Sequence, residues 1–224
     1  DIYIFNLDTE ELLNLTDDWF TDDQIAWYPD GKSLLFISDR NDNLYKGISN
    51  KPKNHTFYQT DIFELNIDSG LLKRLTETEY NETYPCISND GQTLAFISDK
   101  SGINNIYLQH NLADTPKPIT NVNTGITQLS WNGDDTQLIF TGFYNKGYDI
   151  YTLENPLLKL DENIHVPMAE WTSKTEPLNL LRKIESKNKK INIMKLKDEK
   201  IQLSIRKPSF PSTSQSAPGR EFMR

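Results

Sequence analysis

Short apolar stretches alternate with polar turns along most of the chain. In the clearest case, one apolar stretch ends at Tyr28, a Pro-Asp-Gly turn follows at 29–31, and a second apolar stretch covers 33–38. Two apolar stretches joined by such a turn are typical of a β-hairpin. The same arrangement returns around Asp90 and, less completely, around Asp134. The pattern therefore predicts short antiparallel strands joined by tight turns.

A second phrase repeats in step with the first. Its four copies are Asp1-Ile2-Tyr3, Asp61-Ile62-Phe63, Asn105-Ile106-Tyr107 and Asp149-Ile150-Tyr151. In the first three copies, a Leu or Ile followed by Thr comes 14 residues later, an Asp 29 residues later and a Phe 35 residues later. The copies begin 60, 44 and 44 residues apart, so the first unit carries an insertion, which we assign to residues 44–60. A period in the low forties made of short strands is typical of β-propeller blades.

These phrases resemble the TolB-like repeat, a bacterial relative of the WD repeat. In that family one strand ends in Ser-Pro-Asp-Gly and the next in Ser-Asp-Arg, before Asp/Gln-Ile-Tyr and Leu-Thr. The matching segments here are 28–31, 38–40, 61–63 and 75–76. The resemblance covers residues 1–157. It implies an all-β fold, a partial β-propeller of four-stranded antiparallel blades. The residues that follow are expected to form a short mixed and partly disordered C-terminal tail.

Two complete blades are expected, at 24–75 and 84–120, with parts of two others at 1–16 and 126–153. A closed propeller typically has four to eight blades, so the chain is not expected to close the ring by itself. The chain opens in mid-repeat without an initiator Met. We therefore expect a fragment of a larger protein, in which flanking blades are its neighbours.

The recurring turn residues are interpreted as structural. An Asp in such a turn accepts hydrogen bonds from the backbone of the turn, and the Gly after it supplies a positive φ. Recurrence at the same blade position favours this role over a catalytic one. The residues assigned to it are Asp30, Gly31, Asp90, Gly91 and Asp134.

The composition and the charge of the chain limit the classes of function that it can have. With 36% hydrophobic residues and a mean hydropathy of −0.63, no segment is expected to span a membrane. The single cysteine, Cys86, excludes an internal disulfide and a multi-cysteine metal site. Residues 1–157 hold 10 basic and 24 acidic side chains, whereas 158–224 hold 14 and 8. An acidic repeat region argues against a nucleic-acid-binding surface.

One face of the expected blades gathers acidic and aromatic residues. In a four-stranded meander, the insertion 44–60 and the connections between blades emerge on the same face. The predicted binding rim consists of Asp17, Asp18, Trp19, Asp22, Asp23, Phe57, Tyr58 and Tyr80, and the second connection adds Glu77, Glu79 and Glu82. Exposed aromatic rings among carboxylates suit a contact with a basic protein or peptide. The competing interpretation is that the rings fold back against neighbouring blades.

The repeat fails from Leu158 onward. Residues 158–207 are interpreted as a basic extension with a short helix at 175–184 and a hairpin over 191–205. A solvated basic face is favoured there over a membrane or nucleic-acid patch. Residues 208–224, rich in Pro, Ser and Thr, are expected to be disordered.

No catalytic motif is recognised. The chain contains no Gly-x-Ser-x-Gly, His-Glu-x-x-His, phosphate loop or dinucleotide fingerprint. His55, His110 and His165 occupy unrelated repeat positions. The Asp- and Asn-rich segment 39–43 lacks the Gly and the terminal Glu of an EF-hand, so turn-forming side chains explain it better. We predict no catalytic residue, no metal site and no cofactor.

Three functions remain open. The resemblance to TolB implies a non-catalytic protein-interaction module of the periplasm or cell envelope, which we favour because nothing in the sequence demands chemistry. The second is the gating propeller of a prolyl oligopeptidase-like or tricorn-like peptidase, whose catalytic residues would lie outside this chain. The third is the middle segment of a larger envelope protein that carries a metallopeptidase or an outer-membrane domain.

Overall fold

The computed structural model describes residues 1–47, 52, 56–112 and 114–173. The predicted helix at 175–184, the predicted hairpin at 191–205 and the predicted disorder at 208–224 lie outside the described residues, as does His55. The regular elements of the described residues are thirteen short strands joined by turns and loops, a 3₁₀ helix, Pro156–Leu160, and the single-turn helix α1, Glu170–Ser173.

The strands follow one another in four antiparallel sheets. A two-stranded sheet contains β1 (Tyr3–Phe5) and β2 (Leu12–Asn14). Blade 1 contains β3 (Asp22–Trp27), β4 (Ser33–Ser38), β5 (Asp61–Asn66) and β6 (Leu72–Arg74). Blade 2 contains β7 (Glu82–Ile87), β8 (Thr93–Ser98), β9 (Asn105–His110) and β10 (Lys117–Pro118). Blade 3 contains β11 (Ile126–Trp131), β12 (Gln137–Tyr144) and β13 (Gly147–Glu154).

In each blade the strands pair in sequence order, as a meander requires. The predicted fold is confirmed: the chain is a partial β-propeller of four-stranded antiparallel blades. The two complete blades and the two partial ones fall where the repeat predicts them.

The second strand of each complete blade is buried on both faces, because a neighbouring sheet packs on either side. Every residue of β4 and of β8 is buried. Successive side chains of a strand point to opposite faces, so Leu34 and Phe36 pack with the β1–β2 sheet while Leu35 and Ile37 pack with blade 2. Because its side chains alternate in this way, β4 contributes to two separate hydrophobic cores.

The Phe that recurs at offset 35 stacks on an aromatic ring of the third strand in each blade. The ring centroids lie 5.8 Å apart for Phe36 and Phe63, and 5.9 Å apart for Phe96 and Tyr107. Phe36 and Phe96 are buried between neighbouring sheets. Phe140 also faces a neighbouring blade but is only half-buried. Blade 3 has no fourth strand among the described residues, which leaves its outer edge more open to solvent.

The Leu-Thr phrase closes each repeat through a side-chain hydrogen bond. The backbone N–H groups of Ile2, Ile62 and Ile106 each donate to the hydroxyl oxygen of the Thr that lies 14 residues later. The donor–acceptor distance is 2.9 Å in all three cases. The ladder of hydrogen bonds between the third and fourth strands ends at this point. The Thr hydroxyl therefore supplies the acceptor that the buried N–H at the start of the third strand needs.

The recurring turns have the same internal hydrogen bond. Oδ1 of Asp30 accepts from the backbone N–H of the residue two positions later at 2.9 Å, and Asp90 and Asp134 do the same at 2.9 and 3.2 Å. The residue after each Asp has a positive φ, which is +66° at Gly31 and +75° at Gly91.

Candidate functional site

One side of the blades carries all the segments from which the rim was predicted. First strands begin there and second strands end there, so the connections between blades and the loops between second and third strands share this side. We call this side the connection face. It includes residues 15–21, 75–81 and 119–125, together with the loop 99–104 and the described residues of the loop between β4 and β5, which are 39–47, 52 and 56–60.

The two ends of the insertion contact two successive connections between blades. Near its start, Gly47 N–H donates to the carbonyl oxygen of Thr16 at 3.4 Å. Near its end, the amide of Gln59 donates to the carbonyl oxygen of Thr78, and Thr60 N–H donates to Oδ1 of Asn81 at 3.1 Å. These bonds tie the described ends of the insertion to both connections.

Five of the predicted rim residues are exposed on this surface: Asp17, Trp19, Asp23, Phe57 and Tyr58. The exposed fraction is 59% for Trp19, 74% for Phe57 and 90% for Tyr58. Tyr80 is half-buried. The expectation that Asp18 and Asp22 also project into solvent is wrong, because both side chains are fully buried.

Asp18 and Asp22 are buried because they bind Arg40. One terminal nitrogen of the Arg40 guanidinium lies 3.0 Å from Oδ2 of Asp18, and the other lies 2.6 Å from Oδ1 of Asp22. Its Nε donates to Oγ of Ser38 at 3.0 Å. Burial raises the pKa of Asp18, although the neighbouring guanidinium opposes this effect. These two carboxylates support the fold and are not available to steer a partner.

Three aromatic rings surround the same guanidinium. Its central carbon lies 5.3 Å from the ring centroids of Phe20 and Phe36 and 5.7 Å from that of Phe63, distances at which cations attract aromatic faces. Arg40 has no exposed surface. Sequence reasoning placed Arg40 only in the Ser-Asp-Arg phrase and missed this role. The signal that could have revealed it is that two Asp residues precede it by 18 and 22 positions within one repeat.

Blade 2 contains the corresponding site without the cation. Sixty residues after Asp18, Asp22 and Arg40 stand Thr78, Glu82 and Lys100. Lys100 is exposed, whereas Glu82 is buried. Oγ1 of Thr78 donates to Oε1 of Glu82 at 2.7 Å, and Oε2 has no hydrogen-bond partner in the described part of the chain. Burial, together with the nearby carboxylate of Asp61, raises the pKa of Glu82 to about 7.

Within 1–47, 52, 56–112 and 114–173, no group of three or more His, Cys, Asp or Glu side chains could hold a metal ion. Nδ1 of His110 lies 2.9 Å from Oγ1 of Thr93, and the backbone carbonyl of His165 accepts from Asn121. Burial raises the pKa of the Cys86 thiol to about 12. No helix in the described part is long and apolar enough to cross a bilayer.

The chain is similar to known propeller proteins over part of its length. Solved structures described as TolB from Agrobacterium tumefaciens and from Acinetobacter baumannii match with TM-scores of 0.50 and 0.52 at 21% and 18% identity. They cover 63% and 68% of this chain. Dipeptidyl-peptidase 5 of Porphyromonas gingivalis is 28% identical over 131 residues, which is 57% of this chain. No known family profile matches the sequence.

The chain spans only part of each of these proteins. It covers 48% and 35% of the two TolB chains and 18% of the peptidase. At these identities the structural matches show the fold alone, which is the TolB-like propeller fold.

Proposed function

We propose that this chain, a segment with the TolB-like propeller fold, is a non-catalytic protein-interaction module of a bacterial cell-envelope protein. The observation that carries the proposal is the exposure of Trp19, Phe57 and Tyr58, whose segments all belong to the connection face. All three rings are more than half exposed. Large exposed aromatic side chains are enriched at the centres of protein interfaces.

The charge around these rings favours a basic partner. Asp17 and Asp23, on either side of Trp19 in the sequence, remain exposed, whereas the side chains of Asp18 and Asp22 are buried against Arg40. The repeat region as a whole is strongly acidic. A negatively charged surface of this kind accelerates association with a positively charged partner and disfavours the binding of acidic proteins.

A binding comparison tests the proposal. The 224-residue chain and a triple variant, Trp19→Ala with Phe57→Ala and Tyr58→Ala, would be used to capture partners from bacterial envelope extracts. We expect a basic protein that binds the native chain directly after purification and binds the triple variant at least about thirtyfold more weakly, since loss of even one hot-spot side chain costs roughly 2 kcal/mol or more. Partners that bind both forms equally would place the contact elsewhere.

The second candidate is the propeller segment of a peptidase whose catalytic residues lie outside this chain. The observation that favours it is the similarity to dipeptidyl-peptidase 5 over 131 residues. In this case the connection face or the opposite face would control access of peptides to a neighbouring hydrolase domain. The DNA sequence of the flanking gene separates the two candidates, because a following Gly-x-Ser-x-Gly with downstream Asp and His would establish the peptidase.

A further inference from the structure

Blade 3 differs from the two complete blades at one repeated contact on the connection face. In blade 1, Oδ1 of Asp39 accepts from Thr21 N–H at 2.9 Å, which ties the end of the second strand to the incoming connection. In blade 2, Asp99 accepts in the same way from Asn81 N–H at 2.8 Å. The corresponding residues of blade 3, 44 positions later, are Phe143 and Gly125. Gly125 retains a backbone N–H, but Phe143 has no side-chain oxygen to accept from it, and a cleft opens where the bond stands in the other blades.

The cleft has a volume of about 400 Å³, within the rough range of 300–1,000 Å³ for small-molecule sites. Its floor is the connection from Asn123 to Thr127, and the loop 102–104 of blade 2 forms one side. Asn104 fixes this side to the floor, because its backbone carbonyl accepts from Ile126 N–H at 3.1 Å. Helix α1 adds Trp171, which is 58% exposed.

The opposite wall is an unusually long hairpin. Strands β12 and β13 have eight residues each, whereas the corresponding strands of blades 1 and 2 have six. Two extra residues extend a strand by about 7 Å. The hairpin turns through Asn145 and Lys146, both of which have positive φ, as a tight two-residue turn requires.

The extra length places an aromatic pair at the cleft. Phe143 lies directly opposite Tyr148 in the strand register, so both rings are on one face of the hairpin. Their centroids are 5.1 Å apart, in an edge-to-face arrangement. Both residues line the cleft, and Tyr148 is 68% exposed. Tyr144, the next residue in the strand, points to the other face and does not line the cleft.

The polar groups of the cleft are uncharged. Its lining contains no Asp, Glu, Lys, Arg or His, although the repeat region is strongly acidic. In the described part of the chain, no hydrogen bond engages the side chain of Asn123, Thr124 or Thr127. An amide and two hydroxyls supply both donors and acceptors. They therefore remain available to a neutral ligand rich in hydroxyl groups.

We propose that this cleft is a binding site for a neutral saccharide. The rings of Tyr148 and Trp171 offer flat surfaces to the C–H groups of a pyranose ring, and the amide and hydroxyl side chains of the floor bind its hydroxyl groups. A charged ligand would find no ionic partner in the lining. The inference goes beyond the proposed protein contact, because Trp19, Phe57 and Tyr58 take no part in the cleft.

The test uses the full 224-residue chain. Chitotriose, cellotriose and maltotriose would be titrated by calorimetry and by saturation-transfer NMR, with a terminally blocked alanine tripeptide as the comparison. We expect at least one trisaccharide to bind. Tyr148→Ala should weaken that binding about tenfold or more, since it removes a stacking surface. Tyr144→Ala, an exposed Tyr on the other face of the same hairpin, should leave it unchanged.

A second measurement keeps the test decisive should Tyr148→Ala be unstable. Trp171→Phe retains an aromatic ring but removes the indole, so a saccharide-dependent change in tryptophan emission should disappear while calorimetric binding persists. The proposal is overturned if none of the three sugars binds, if binding is indifferent to Tyr148, if the emission change survives in Trp171→Phe, or if the blocked peptide binds more tightly than every sugar.

Discussion

Arg40 and Asp22, which are 18 residues apart in the sequence, form a buried ion pair with a nitrogen–oxygen distance of 2.6 Å. The guanidinium also binds Asp18 and lies among three aromatic rings. This cluster fixes the connection that leads into blade 1 to the end of β4. Its charges balance only in part, because two carboxylates share one cation.

Replacing Arg40 should destabilise the protein strongly. Arg40→Met leaves the carboxylates of Asp18 and Asp22 buried without a cation, and removal of one partner of a buried pair costs about 3–5 kcal/mol. Urea unfolding followed by circular dichroism measures this loss. The matched control is Lys100→Met, at the same repeat position but exposed, which should change the free energy of unfolding by no more than about 0.5 kcal/mol. Equal effects of the two changes would contradict the structural role assigned to Arg40.

The raised pKa of Glu82 predicts a pH dependence of stability. The carboxyl titrates near 4.5 in the unfolded chain and at about 7 in the folded protein. Between these values the folded state binds more protons, so the free energy of unfolding should fall as the pH rises. The contribution is complete below about pH 4.5 and is lost as the pH rises through about 7, with a total of about 3 kcal/mol.

Glu82→Gln isolates this effect, since the amide carries no titrating proton and can still accept a hydrogen bond from Thr78. Unfolding curves of both proteins between pH 5 and 8 should converge at the acid end and diverge toward neutral pH, with the variant the more stable there. Parallel curves would show that Glu82 titrates in its ordinary range.

The packing between blades predicts that replacing the recurring Phe destabilises the protein to a different extent in each blade. Phe96 is 2% exposed and stacks on Tyr107, so Phe96→Ala should cost about 3–5 kcal/mol. Phe140 holds the same repeat position but is half-buried, and Phe140→Ala should cost clearly less. Thermal unfolding of the two variants measures the difference. An unchanged melting temperature for Phe96→Ala would mean that the proposed blade register is wrong.

The hydroxyl of the Leu-Thr phrase should contribute to stability in each blade. Thr76→Val keeps the shape of the side chain but leaves Ile62 N–H without the acceptor it has at 2.9 Å. An unsatisfied buried donor costs about 1–3 kcal/mol. Hydrogen exchange at Ile62 should accelerate together with the loss of stability. Thr9→Val, in an exposed turn, serves as the control and should show neither change.

The burial of Asp18 and Asp22 changes what is expected of charge variants at the rim. Asp17→Asn with Asp23→Asn should slow association with a basic partner and reduce its salt dependence, because exposed charges act over a Debye length of about 8 Å. Asp17 has a positive φ of 45°, which Asn tolerates. Surface plasmon resonance at several ionic strengths measures both effects. Asp18→Asn with Asp22→Asn should instead lower the melting temperature, and an equal effect on association from that pair would contradict the assignment.

The sequence by itself determined the blades. The offsets of 14, 29 and 35 residues correspond to contacts within a single repeat, namely the Thr hydroxyl on the third strand, the Asp in the turn and the Phe on the second strand. These contacts join residues that are close in sequence or paired in a hairpin, so the pattern of apolar and turn-forming residues specifies them. The strand limits of β4 were predicted without error for this reason.

Only the tertiary structure decided which charged and aromatic side chains are buried and which are exposed. Asp18 and Asp23 look alike in the sequence, but one is buried against Arg40 and the other is exposed. Arg40 and Lys100 occupy the same repeat position with opposite burial. Glu82 is buried next to Asp61, and this burial raises its pKa. The cleft beside Tyr148 likewise depends on two blades and on α1. The solvation of a polar group depends on all the elements packed around it, and a local pattern along one strand contains no information about its neighbours from distant parts of the chain.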